Sequence, residues 1–177
     1  MSMNLPNKLT MFRVVLIPVF IIVLMSGLFP DPVSRYIGVV IFCVASFTDF
    51  LDGYIARKYH LVTNFGKFMD PLADKLLVSS ALICMIELGM LPAWIVIIII
   101  SREFIITGFR LIAAEGGLVI AASWWGKIKT VTQMLMIILV MLGINNIIGT
   151  ILIILATVFT VVSGVDYIMK NIGILKN

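Results

Sequence analysis

Four aspartates lie close together in a chain that is otherwise mostly apolar. Asp49 and Asp52 are three residues apart, and Asp70 and Asp74 are four apart, so each pair shares one face if its segment is helical. Carboxylates are the ligands that hard cations such as Mg²⁺, Mn²⁺ and Ca²⁺ prefer. Four carboxylates can hold two ions that together clamp a phosphoryl group. The spacing therefore predicts a divalent-metal site suited to phosphate chemistry.

Small residues and one arginine accompany the aspartates. Gly53 and Gly66 lie beside them and, because they lack a side chain, let a bulky ligand approach the backbone. Ala56 continues the face of Asp52 with a small side chain. Arg57 offers a planar fork for phosphate oxygens. An acidic face beside an arginine indicates a metal-bridged diphosphate rather than a bare ion.

Two other interpretations of the aspartates remain open. They could pair with the nearby cations Arg57, Lys67 and Lys75 as buried salt bridges. They could also relay protons or divalent cations through a transporter, since intramembrane carboxylates serve that purpose too. Neither alternative explains the two glycines and the Ala-Arg step beside the aspartates.

The composition indicates an integral membrane protein. Of the 177 residues, 62% are hydrophobic and only 12% are charged, whereas about 25% of residues are charged in a typical soluble domain. Six apolar runs are long enough to cross a bilayer, and their length favours helices over barrel strands. The candidate spans cover approximately residues 9–28, 34–58, 68–90, 93–114, 124–143 and 147–169.

The expected architecture is an all-α integral membrane protein, a single domain over residues 1–177 with six transmembrane helices. A short N-terminal interfacial segment in the first ten residues leads into the first helix, with Asn7 or Thr10 available as its cap. Of the 13 lysines and arginines, only Arg35 lies near an outer loop when the N-terminus is inside. The positive-inside rule therefore predicts that both termini are cytoplasmic and that the aspartates face the cytosol.

The acidic stretch resembles the signature of a known family, the CDP-alcohol phosphotransferases. All eight signature positions and all spacings agree, and the six-helix layout extends the resemblance over essentially the whole chain. The resemblance implies transfer of a phosphatidyl group from CDP-diacylglycerol to an alcohol, with release of CMP, in a membrane-embedded homodimer. The matching residues read Asp49-x-x-Asp52-Gly53-x-x-Ala56-Arg57, then, after eight residues, Gly66-x-x-x-Asp70-x-x-x-Asp74.

The resemblance also implies a role for each signature residue. In the family, the four aspartates share two divalent ions, normally Mg²⁺ or Mn²⁺, and the position of Asp74 is that of the general base for the attacking hydroxyl. The positions that contact the CDP moiety correspond to Gly53, Ala56, Arg57 and Gly66.

The signature does not identify the acceptor alcohol, so we infer it from charged residues elsewhere in the chain. Arg102 lies well inside an apolar run, and together with Arg110 and Lys127 it predicts an anion pocket for an acceptor that carries its own phosphate. Glycerol 3-phosphate and inositol phosphate meet that requirement, and serine does not. The alternative is that Arg102 pairs structurally with Glu103 or Asp70.

Three short runs resemble the bacterial phosphatidylglycerophosphate synthases within that family, which implies glycerol 3-phosphate as the acceptor and a bacterial cell membrane as the location. Phe109 departs from a common leucine in that group. Asn7, Thr10 and Arg13 are expected to contribute at the cytosolic mouth of the acceptor site, and no nucleic-acid partner is expected. The three runs are Arg-Glu-Phe at 102–104, Thr-Gly-Phe-Arg at 107–110 and Gly-Lys-Ile-Lys-Thr at 126–130.

Overall fold

The structure is a computed structural model of the chain. It describes residues 4–59, 61, 63–118, 120, 123–144 and 146–173, without the side chains of Arg57, Asn64, Lys67 and Glu115. These described residues form six helices and no strand. The helices are α1 (Leu5–Met25), α2 (Val33–Lys58), α3 (Asn64–Glu87), α4 (Ala93–Glu115), α5 (Trp124–Met141) and α6 (Ile147–Asn171).

The chain divides into two compact units, an N-terminal unit Met1–Glu87 and a C-terminal unit Leu88–Asn177. In the N-terminal unit, α1 packs along both α2 and α3. In the C-terminal unit, α6 takes the same position between α4 and α5. One helix therefore organises each unit by contacting the other two. The expectation of a single domain over the whole chain stays a prediction.

The membrane-spanning character of the chain is confirmed at a coarse level. Among the described residues, three helical stretches are long and apolar enough to cross a membrane: Leu5–Met25, Val33–Ala56 and Ile147–Asn171. Outward-facing aromatic residues such as Phe47 and Phe68 are at least 60% exposed, which suits contact with hydrocarbon. The six spans and the cytoplasmic termini stay predictions.

The start of α1 differs from the expectation. In the described residues there is no separate interfacial segment before it, because the helix already begins at Leu5. Its cap is Asn4, whose side chain accepts a hydrogen bond from the Asn7 backbone N–H at 3.0 Å, and Pro6 lies in the first turn. The expected caps, Asn7 and Thr10, lie inside the helix. The expectation followed hydropathy alone, which does not register a polar cap.

Candidate active site

Four polar residues of α1 follow one another at intervals of three. Asn4, Asn7, Thr10 and Arg13 therefore lie on one side of the helix, which we call the α1 polar face. Asn7, Thr10 and Arg13 are buried among α2 and α3. Because buried polar groups require hydrogen-bond partners, this face has to meet polar groups on the two neighbouring helices.

Arg13 joins α1 to α2. Its side chain is fully buried, and it reaches two carboxylates at once. Nη1 donates to Asp49 Oδ1 at 2.5 Å, and Nη2 donates to Asp52 Oδ2. The side chain of Asp52 is 3% exposed and that of Asp49 is 40% exposed. One guanidinium thus pairs with two of the predicted site aspartates, as a planar fork of donors allows.

Thr10 joins α1 to both α2 and α3. Its hydroxyl donates to Asp70 Oδ1 at 2.7 Å and lies 3.4 Å from Asp52 Oδ2. The carboxylates of the two helices therefore approach each other at a single side chain of α1. We call Thr10, Arg13, Asp49, Asp52 and Asp70 the acidic cluster.

The connection between α2 and α3 is tied to the start of α1. Asn4 Nδ2 donates to the Leu61 carbonyl at 2.9 Å, and Thr63 Oγ1 donates to Asn7 Oδ1 at 2.9 Å. Thr63 Oγ1 also accepts from the Gly66 N–H at 3.0 Å, in the manner of a helix cap. These bonds hold the first turn of α3, and Asp70 follows in the next turn.

The other signature residues lie around this cluster. Gly66 is buried, and a Cβ at that position would lie 3.4 Å from both Asn7 Oδ1 and Thr63 Oγ1, and 3.5 Å from Asp70 Oδ2. Asp74 is exposed one turn beyond Asp70. Gly53 and Ala56 are half-buried on α2, and Arg57 is in its last turn, with a side chain outside the described part of the structure.

The donor chemistry of the acidic cluster fits a divalent cation. In the described part of the chain, no three His, Cys, Asp or Glu side chains surround one point closely enough to hold an ion. However, three ionised carboxylates beside one guanidinium leave two negative charges, and all the carboxylate donors are hard oxygens. The cluster therefore has the charge and ligand type that a divalent cation requires.

The C-terminal unit contains a second set of buried charges, which we call the basic cluster: Arg102, Glu103 and Lys129. Lys129 Nζ forms an ion pair with Glu103 Oε1, and Arg102 Nη1 lies 3.4 Å from the same oxygen. The exposed fractions of the side chains are 3% for Lys129, 14% for Arg102 and 25% for Glu103. The structural pairing of Arg102 with Glu103 is thus present, and Lys129 joins it.

Arg102 is surrounded by small residues of the other two helices in its unit. A Cβ at Gly126 on α5 would lie 3.5 Å from Arg102 Nη2, and one at Gly164 on α6 would lie 3.2 Å from Arg102 Cγ. Arg102 also borders a cavity of about 320 Å³ between α4 and α6 that is otherwise mostly apolar. Its Nε is buried and has no hydrogen-bond partner in the described residues. The Nε–H of Arg102 is thus a donor without a hydrogen-bond partner in the described residues, in a side chain that borders this cavity.

The other two predicted acceptor residues are placed differently. Arg110 is exposed, and its guanidinium carbon lies 5.8 Å from the ring centre of Tyr167 on α6. Lys127 is also exposed, and its Nζ lies 6.0 Å from the ring of Trp124 on its own helix. On α5 it is the side chain of Lys129, and not that of Lys127, that is buried in the C-terminal unit. The three predicted residues are therefore not equivalent in burial or contacts.

The chain matches a known protein family over most of its length. A model of the CDP-alcohol phosphatidyltransferase family matches residues 3–162. The chain belongs to this family of enzymes, which generally use divalent metal ions.

Relatives with assigned names extend over nearly the whole chain. A protein of Bacillus subtilis named CDP-diacylglycerol–glycerol-3-phosphate 3-phosphatidyltransferase is 46% identical over 98% of this chain and 97% of its own length. A Haemophilus influenzae protein of the same name is 43% identical over 99% and 97%. A Mycobacterium tuberculosis protein named probable phosphatidylglycerophosphate synthase is 41% identical over 96% of this chain and 84% of its own.

Sequence reasoning did not anticipate the contacts of the α1 polar face with the aspartates. Asn7, Thr10 and Arg13 were expected at the cytosolic mouth of the acceptor site. The salt-bridge partners considered for the aspartates were cations close to them in sequence. A signal was present, because polar residues at intervals of three in an apolar helix predict one buried polar face. Which carboxylates that face meets depends on packing between helices.

Proposed function

We propose that this chain transfers the phosphatidyl group of CDP-diacylglycerol to glycerol 3-phosphate, giving phosphatidylglycerophosphate and CMP. The names of relatives at 41–46% identity support this reaction. The observation that carries it is the convergence of three signature aspartates on α1, two through Arg13 and one through Thr10. Carboxylates gathered within a membrane protein need a cationic ligand.

The proposed metal ligands are Asp49, Asp52, Asp70 and Asp74, holding two Mg²⁺ or Mn²⁺ ions. When bound, these ions neutralise charge on the diphosphate and on departing CMP. Metal-site chemistry supports the proposal because Asp49, Asp52 and Asp70 supply hard oxygens with a surplus of negative charge. Asp74 lies one turn beyond Asp70 and is exposed.

Asp74 is the proposed general base. Its carboxylate accepts the proton of the acceptor hydroxyl as that oxygen attacks the phosphorus next to diacylglycerol. The bond from this phosphorus to the bridging oxygen then breaks, and CMP leaves with the electron pair. We assign the CDP contacts to Gly53, Ala56, Arg57 and Gly66. In that assignment the arginine binds diphosphate oxygens and the small residues admit the nucleotide to the backbone.

The proposed binding residues for the acceptor phosphate are Arg102, Arg110 and Lys127. The unpaired Nε of Arg102 beside a cavity favours Arg102 as the principal one. The remaining charge of the basic cluster is positive, since two cations share Glu103. An acceptor that bears a phosphate therefore suits this unit better than serine does.

We further propose a multi-pass protein of the bacterial cell membrane with six spans, cytoplasmic termini and a cytoplasmic active site. The distribution of lysine and arginine supports this topology. The lipid donor agrees with an active site at the cytoplasmic side, because its acyl chains stay in the bilayer while its nucleotide lies at the cytosolic edge. A homodimer is proposed by family resemblance.

An acceptor panel tests the proposed reaction. The purified full chain is supplied with CDP-diacylglycerol in mixed micelles and Mg²⁺, and then with glycerol 3-phosphate, inositol phosphate or serine. We expect CMP release and a phosphatidylglycerophosphate mass only with glycerol 3-phosphate, and no release with EDTA or in Asp74→Asn. Turnover with inositol phosphate or serine in place of glycerol 3-phosphate would refute the proposed acceptor.

A further inference from the structure

Arg13 is a cation that uses the same oxygens as the proposed metal ions. Both of its Nη atoms donate to carboxylates, one to Asp49 Oδ1 and one to Asp52 Oδ2. Its side chain is fully buried, so the positive charge has no access to water. A divalent cation bound to these oxygens would meet this charge at a distance of a few ångströms.

A purely structural role is a weak explanation for such a residue. Replacing a buried ion pair by apolar side chains is often neutral or stabilising, and Arg13 leaves its own Nε buried without a hydrogen-bond partner in the described residues. Thr10 and the contacts of Asn4 and Asn7 already link α1 to α3 and to the connection between α2 and α3. The scaffold therefore has connections that do not depend on the guanidinium.

We propose that Arg13 is a built-in counter-ion that competes with the divalent metal for Asp49 and Asp52 and so sets the metal affinity of the site. The inference rests on the proposed metal site. Without metal, the guanidinium pairs with both carboxylates and offsets part of their charge. Metal binding displaces it from one or both oxygens, because two cations that close repel each other strongly in a partly buried site. Arg13 is thus a positioning residue.

Direct measurement of Mn²⁺ binding tests the proposal without using activity. Mn²⁺ is titrated into the detergent-purified full chain, and the free ion is followed by its electron paramagnetic resonance signal. We expect Arg13→Gln to bind Mn²⁺ about tenfold or more tightly than the unmodified chain. In EDTA, the same variant should unfold at a lower temperature, and Mn²⁺ should raise that temperature more than it does in the unmodified chain.

Arg35→Gln is the matched control. Arg35 also lies on a helix and pairs with an aspartate, Asp31, but that carboxylate is exposed and lies outside the acidic cluster. It should bind Mn²⁺ as the unmodified chain does. Asp70→Asn removes a proposed ligand and leaves Arg13 with both partners, so it should bind Mn²⁺ at least tenfold more weakly and thereby tests the metal site alone.

The outcomes separate the two proposals. Unchanged or weaker Mn²⁺ binding in Arg13→Gln, with weakened binding in Asp70→Asn, overturns the role of Arg13 and leaves the metal site in place. No bound Mn²⁺ in the unmodified chain overturns both. If Arg13→Gln does not elute as a monodisperse peak, Arg13→Met decides the matter. Its apolar side chain of similar length removes the charge, so binding should tighten about tenfold, and equal or weaker binding overturns the proposal.

Discussion

The acidic cluster and the basic cluster are built on opposite plans. In the N-terminal unit, one guanidinium lies among three carboxylates, whereas in the C-terminal unit one carboxylate lies between two cations. Arg13 offsets part of the negative charge of the acidic cluster, and Glu103 offsets part of the positive charge of the basic cluster. The remainder is negative in the first and positive in the second, which is the sign that attracts a metal ion and a phosphate respectively.

The two clusters also differ in how their neighbours make room. The acidic cluster is held by hydrogen bonds from the α1 polar face, and its helices are joined by side chains. Arg102 of the basic cluster instead lies against Gly126 and Gly164, where the absence of a side chain admits its stem and head group. The acidic cluster therefore depends on charge, and the basic cluster depends also on the space that Gly126 and Gly164 leave for Arg102.

The largest expected effect comes from removing one charge of the acidic cluster. Asp52→Asn keeps the size of the side chain but removes a proposed metal ligand and a partner of Arg13. We expect kcat to fall about a hundredfold or more, measured as CMP release with saturating Mg²⁺. Asp31→Asn, at an exposed carboxylate paired with Arg35, should leave kcat unchanged. Activity above a tenth of normal in Asp52→Asn would place the metal elsewhere.

Changes at the proposed acceptor-binding residues should act on the acceptor KM. Arg102→Ala removes charge-assisted hydrogen bonds worth about 1.5–3 kcal/mol, so the acceptor KM should rise roughly 10- to 100-fold while the donor KM stays within about twofold. Arg110→Ala should also raise the acceptor KM more than the donor KM. Lys127→Ala should have the smallest effect of the three, because Lys127 is exposed beside Trp124. Equal changes in both constants would make these residues structural.

Loss of the Glu103 carboxylate, which pairs with both cations of the basic cluster, should lower the free energy of unfolding. Glu103→Gln removes the carboxylate that Arg102 and Lys129 share, and because Glu103 is partly exposed we expect a loss of about 1–3 kcal/mol in the free energy of unfolding. Adding Lys129→Met removes one of those cations and should restore part of the loss. Denaturant unfolding in detergent measures both. No recovery in the double variant would show that the Glu103 effect is not electrostatic.

The smallest effects should come from adding a methyl group beside each cluster. At Gly66 the new Cβ meets atoms at 3.4–3.5 Å, which is ordinary contact, so Gly66→Ala should leave the unfolding temperature nearly unchanged. Any rise in the donor KM then reports on bound CDP. At Gly164 the new Cβ lies 3.2 Å from Arg102 Cγ, so Gly164→Ala should raise the acceptor KM severalfold. A raised acceptor KM in Gly66→Ala together with a raised donor KM in Gly164→Ala would contradict the proposed donor and acceptor roles of the two units.

Helix positions could be predicted closely from the sequence. The expected spans 34–58 and 93–114 differ by one residue from α2 (Val33–Lys58) and α4 (Ala93–Glu115). Hydropathy suffices there because the ends of both helices coincide with the ends of apolar runs. It fails at α1 and α3, which begin four residues earlier than expected. Polar residues such as Asn4 and Thr63 lie just before these helices and accept hydrogen bonds from backbone N–H groups in their first turns.

The candidate site could be predicted only in part. The signature aspartates were found by their spacing, because i to i+3 and i to i+4 neighbours share a helix face whatever the tertiary structure. The contact of Arg13 with Asp49 joins residues 36 positions apart and depends on how α1 and α2 rotate against each other. The same is true of Lys129, whose contact with Glu103 spans 26 positions.

The order of the chain gives the Arg13 contact a consequence for biosynthesis. α1 is made before α2, so the guanidinium is already present when Asp49 and Asp52 enter the bilayer. A lone carboxylate at membrane depth costs about 2.5–3.5 kcal/mol on insertion scales. We expect pairing with Arg13 to offset part of that cost during insertion, before any metal ion is bound. The first helix would then assist the entry of the second into the membrane.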